Sequence, residues 1–102
     1  MPEDLNPADL CEAVRKHDQA ALGQLYRNLR RNEWFYLLHH AGDDAEDLLH
    51  RLWMLVVKAI QEDIRIEHPE QVFLFAHGAA RKLCARLNEQ RDQLHQVERL
   101  AA

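Results

Sequence analysis

Seven histidines are the first residues in this sequence that could do chemistry, since neutral imidazole is the commonest ligand of transition metals. Their spacing argues against a metal site. His39 and His40 are adjacent, so on a helix their side chains diverge by about 100°. His50, His68, His77 and His95 share no i, i+4 pairing with another His, Cys or carboxylate in a known ligand motif. Surface or capping roles account for them: His68 before Pro69 could cap a helix, and His39 and His40 suit a helix C-terminus. The acidic run Asp43, Asp44, Glu46 and Asp47 contains paired carboxylates of the kind used for acid/base work or for a hard cation. Gathered at a helix start, the same four groups are explained by the macrodipole and by capping. Cys11 and Cys84 lie 73 residues apart with no CxxC pairing. Cys84 falls on an apolar face, and Cys11 beside Glu12 shows no activating cation in the sequence. With no glycine-rich phosphate loop and no nucleophile elbow, catalysis is not expected, and neither a metal nor a cofactor is implied.

Basic residues are the remaining candidates. Arg81, Lys82 and Arg86 cluster in one stretch, and Arg27, Arg30 and Arg31 in another. The whole chain carries a formal charge of −4, but residues 14–31 carry +4 and 72–91 carry +3, against −4 in each of 1–13 and 43–63. Two local basic groups on a net acidic domain are what a phosphate-tracking surface needs, while solvated helix faces are the plainer account of the same charges.

The elements that must position these groups are helices. Low Gly and Pro, with abundant Leu, Ala, Arg, Glu and Gln over 102 residues, favour one all-α domain. Asn6-Pro7 reads as an N-cap and first helical residue, opening a short helix to about Lys16 with Leu10, Ala13 and Val14 inward. Asp18 caps a long second helix through Ala21, Leu22, Leu25, Tyr26 and Leu29 that ends at Gly42. Asp43 with Glu46 forms a capping-box analogue for a third helix, whose Ala45, Leu48, Leu49, Leu52, Trp53, Val56, Val57 and Ile60 make one broad apolar face. Residues 62–71 break the period as a loop, with Ile64 and Ile66 expected against the core, and Pro69 starts a fourth helix. Its inward face is Val72, Phe73, Ala76, Ala79, Ala80, Leu83, Cys84 and Leu87; Gly78 within it costs about 1 kcal/mol relative to Ala. The expected architecture is a compact bundle of four helices over residues 1–91, followed by a polar tail or linker, 92–102, read either as a frayed helical extension or as part of a partner interface. No run approaches the roughly 20 apolar residues of a membrane span. With no leader signal and sparse cysteine, a reduced cytoplasmic setting is expected.

Residues 44–49 (Asp-Ala-Glu-Asp-Leu-Leu), then Leu52-Trp53 and Val56-Val57-Lys58-Ala59-Ile60, resemble the Asp-Ala-Glu-Asp-Leu-Val signature of region 2 in bacterial sigma factors of the sigma-70 family, particularly the extracytoplasmic-function type. Asp18-Gln19-Ala20-Ala21-Leu22 to Leu25-Tyr26 is similar to the family's opening, and Phe75 through Leu83 to its promoter-reading element. The likeness covers about residues 8–91. It implies a sigma region 2-like fold and a transcription-initiation role. One face would dock on the clamp of the largest RNA polymerase subunit through Asp47, Leu48, His50 and Arg51. The other would hold the non-template single strand of the promoter minus-ten element through Phe75, Arg81, Lys82 and Arg86, with the 64–71 loop capturing bases. An anti-sigma factor is a further partner class the resemblance admits. The chain departs from the pattern at His50-Arg51, where the family has Gln-Glu, and at Lys82 and Arg86, where it has Asn and Asp; these make the DNA face more basic. The family's minus-35-reading half has no counterpart in this sequence. A stand-alone interaction module that has lost promoter recognition is the alternative reading.

Overall fold

The computed structural model describes residues 4–62 and 69–101. The described chain is all-α: α1 (Pro7–Arg15), α2 (Gln19–Ala41), a 3-10 turn (Gly42–Asp44), α3 (Ala45–Glu62) and α4 (Pro69–Ala101). Local chemistry explains each boundary. Asn6 accepts from the Asp9 amide at 2.9 Å and Asp18 from the Ala21 amide at 2.9 Å, so the N-caps predicted at these two positions form. α1 ends in a Schellman turn: the Asp18 amide donates to the Ala13 carbonyl and the His17 amide to that of Val14, each at 3.0 Å. His17 takes the left-handed position of that turn, at φ 60°.

The capping box at Asp43 does not form. Gly42, at φ 58°, carries the chain from α2 straight into the 3-10 turn, which has no side-chain cap hydrogen bond. Asp43 therefore lies inside a turn, where it lacks the extended backbone that an N-cap requires. The acidic run instead ties helices together. Asp44 pairs with Arg91 of α4, Glu46 lies 3.7 Å from Arg30 of α2, and Asp47 lies 3.2 Å from Arg51 one turn on.

The core is built where three apolar stripes meet. Leu25, Leu29 and Leu37 of α2, Leu48, Leu49, Leu52, Val56 and Ile60 of α3, and Ala76, Ala80 and Cys84 of α4 are all buried, with Leu10, Cys11 and Val14 of α1 closing one end. Alanines at 76 and 80 let α4 approach closely. Polar joints fix the docking: the Trp53 indole donates to the Leu22 carbonyl at 3.0 Å, and Arg15 donates to the Ile60 carbonyl at 3.2 Å near the end of α3. Gln24, buried, donates to the Leu5 carbonyl and accepts from its amide, holding the segment before α1.

The 92–102 segment, read as a polar tail, continues α4 as helix as far as Ala101. The outcome is an elongated molecule, 56 × 29 × 20 Å, with a Cα radius of gyration of 16.2 Å against about 13 Å for a compact domain of this length. Ile64, Ile66 and His68 lie outside the described residues.

Candidate nucleic-acid interface

Helical period decides which basic residues can act together. On α4, Phe75, Ala79, Lys82 and Arg86 recur every three or four residues and so share one stripe. That stripe, with Leu55 of α3 opposite and Leu74 and Leu83 beside it, lines an open groove of about 430 Å³ between α3 and α4. Its walls are aromatic and aliphatic, and its cations come from one helix. Phe75 is 40% and Leu74 69% exposed, so an apolar surface is presented to solvent next to two cations that no acidic side chain pairs among the described residues. Gly78 forms part of the groove wall, and a Cβ added there would meet no atom within 4 Å.

Three of the four residues expected on the DNA face are therefore together. Arg81 is not among them. One residue round from Lys82, it leaves the helix about 100° away and is absent from the groove lining. Of the segment expected to capture bases, residues 64–68 lie outside the described residues, and Pro69, Glu70 and Gln71 form the first turn of α4.

The face expected to meet the polymerase is the exposed side of α3. Asp47, His50 and Arg51 are exposed there. Leu48 requires a correction: at 2% exposure it packs into the core, as its place in the apolar stripe demands, and its side chain presents nothing to a partner. The cation at position 51 is partnered locally, since its Nε lies 3.2 Å from Asp47. The His50 ring sits against Trp53, with centroids 5.6 Å apart.

One arrangement has no precedent in the sequence reading. Glu33 is buried at 1% exposure in α2, and its carboxylate hydrogen-bonds His77 Nδ1 of α4 at 3.2 Å. His77, its side chain still 39% exposed, is thus a helix-to-helix joint at the surface, stacked against Phe73 and edge-on to Tyr36. The available signal was register: Glu33 stands four residues from both Leu29 and Leu37, on the inward stripe. Beside this pair is a small cleft of about 140 Å³ whose wall includes Cys11 and Phe73.

Burial pushes both thiols above the ordinary value of 9.0. For Cys11, Arg15 one turn along opposes that shift, a cation missed when only Glu12 was considered, but desolvation outweighs it. Neither thiol is poised as a nucleophile. Among the described residues no three His, Cys, Asp or Glu side chains gather in a way that would hold a metal ion, and no helix is long and apolar enough to cross a membrane. Set against protein-family models, curated proteins and solved structures, the chain finds no match in any of the three.

Proposed function

We propose that this chain is a non-catalytic transcription-initiation module built as a four-helix bundle of the sigma region 2 type. In this reading it acts in the cytoplasm, docking on the RNA polymerase clamp and holding the non-template strand of the minus-ten element. The observation that carries the reading is the α3–α4 groove, where Phe75, Lys82 and Arg86 converge. An aromatic ring flanked by cations is the combination that single strands need: the ring stacks an unpaired base and the cations follow its phosphates. Arg81 then serves the neighbouring backbone rather than the base pocket. Asp47, His50 and Arg51 supply the clamp-facing surface from the side of α3 that solvent already covers.

The test is anisotropy of a fluorescent single-stranded minus-ten oligonucleotide, with and without a clamp fragment, across a salt series. Wild-type protein should bind, and Lys82→Ala and Arg86→Ala should each reduce the log–log salt slope by about 0.7. A wild type that binds neither DNA nor clamp refutes the reading. The exposed Leu55 and Leu74 support a second one, a sigma-like interaction module whose groove takes an apolar protein segment such as one from an anti-sigma factor. Clamp or protein binding with no affinity for the oligonucleotide would favour it.

A further inference from the structure

The outer face of α2 carries a surface that the proposed function leaves unused. Arg27, Arg30, Arg31, Trp34 and Phe35 line a shallow open concavity of about 360 Å³ on the side of α2 away from buried Leu25, Leu29 and Leu37. Phe35 is 79% exposed, beyond what packing of this helix requires. The Arg30 guanidinium lies over the Trp34 ring, 4.5 Å from its centroid. A guanidinium over an indole ring is attracted by the ring's π face. Acidic neighbours occupy these cations only loosely: Arg27 is 3.6 Å from Asp4 and Arg30 is 3.7 Å from Glu46, both between exposed side chains, and no acidic partner holds Arg31 among the described residues. Exposed pairs of that kind contribute little and exchange readily for another anion.

Spacing selects the occupant. Arg27, Arg31 and Phe35 stand at i, i+4 and i+8, so two cations and a ring follow one another along the helix at about 6 Å intervals. A ligand that meets all three must offer repeated negative charge and, next to it, a flat face for an exposed phenyl ring. We infer that the Arg27–Arg31–Phe35 stripe of α2 is a second binding surface for single-stranded nucleic acid, separate from the α3–α4 groove, with phosphates on the arginines and an unpaired base on Phe35. A duplex does not fit, because its bases are stacked and their faces closed to Phe35. An acidic polypeptide matches the charge but provides no regular alternation with aromatic faces.

The full chain is titrated into a labelled 12-nucleotide oligo-dT over a salt series, alongside Lys82→Ala/Arg86→Ala, Arg27→Ala/Arg31→Ala and Phe35→Ala, each checked for helical content. The α2 stripe predicts that the groove variant retains measurable binding. Arg27→Ala/Arg31→Ala lowers the salt slope by about 1.4, at 0.7 for each arginine. Phe35→Ala weakens binding about tenfold. Oligo-dT quenches tryptophan emission in wild type, and Trp34→Phe removes most of the quench. An unchanged slope and affinity in both α2 variants overturns the inference and leaves the groove proposal standing. Complete loss of binding in the groove variant alone does the same. Displacement of the oligonucleotide from the groove variant by an equal concentration of a glutamate-rich peptide assigns the stripe to protein and also overturns it.

Discussion

At the scale of single residues, the candidate interface is set by helical angle more than by residue type. Lys82 and Arg86 join Phe75 because they share its stripe, whereas Arg81, chemically equivalent and adjacent, is turned away from the groove. Gly78 exposes a second tension. In a helix interior it costs about 1 kcal/mol relative to Ala, and nothing within 4 Å obstructs a methyl there. Gly78→Ala is therefore expected to stabilise the protein by up to about 1 kcal/mol in urea unfolding, while narrowing the groove and weakening oligonucleotide binding. A variant that gains stability with undiminished affinity would place the ligand elsewhere. Glu33 is the residue that sequence reasoning misjudged by omission. A carboxylate in the register of Leu29 and Leu37 is legible as inward, but its partner, His77, lies 44 residues along the chain and only tertiary packing supplies it.

At the scale of elements, caps and periods placed α1, α2 and the start of α4 within a residue or so. One expected cap fails, for a reason that stands next to it in the chain. Asp43 loses its cap because Gly42 turns the chain into a 3-10 turn before an N-cap can form. The 92–102 segment is helical although its apolar residues are loosely spaced. Arg91 provides the anchor: it reaches back to donate to the Ala41 carbonyl and to pair with Asp44, holding α4 to the α2–α3 junction where the buried stripe ends. Beyond that point Leu94, Val97 and Leu100 are exposed, and helix formation rests on propensity alone. Arg91→Ala is expected to lower amide hydrogen-exchange protection from Asn88 to Ala101 by at least about tenfold while leaving α1 to α3 unchanged. Asp44→Ala should have a smaller effect, since the Ala41 carbonyl remains bonded, and adding it to Arg91→Ala should change little further.

At the scale of the whole molecule, the charge of −4 proves to be a balance of opposed surfaces. Asp44, Glu46 and Asp47 of its acidic run hold arginines from α4, α2 and α3, while Lys82 and Arg86 line the α3–α4 groove and Arg27 and Arg31 the outside of α2. Stability should carry a pH signature from the two buried thiols. Their folded values lie above the ordinary 9.0, so above that pH the unfolded chain loses thiol protons that the folded chain keeps. Their stabilising contribution is full below pH 9 and declines as pH rises through the folded values. The urea midpoint should therefore fall more steeply above pH 9 in wild type than in Cys11→Ala/Cys84→Ala, and parallel curves would contradict the assignment. The amino-acid sequence by itself determined the all-α class, the inward stripes of α2, α3 and α4 apart from Phe73, which was expected inward and is 50% exposed, two N-caps and the clustering of basic residues, because each depends on residues within a turn or two of one another. Tertiary structure alone decided that Glu33 meets His77, that Arg91 reaches the Ala41 carbonyl and Asp44, and that Phe75, Lys82 and Arg86 face Leu55 across a groove. Those outcomes depend on the angle and distance at which one helix meets another, and such long-range geometry leaves no periodic trace in the chain.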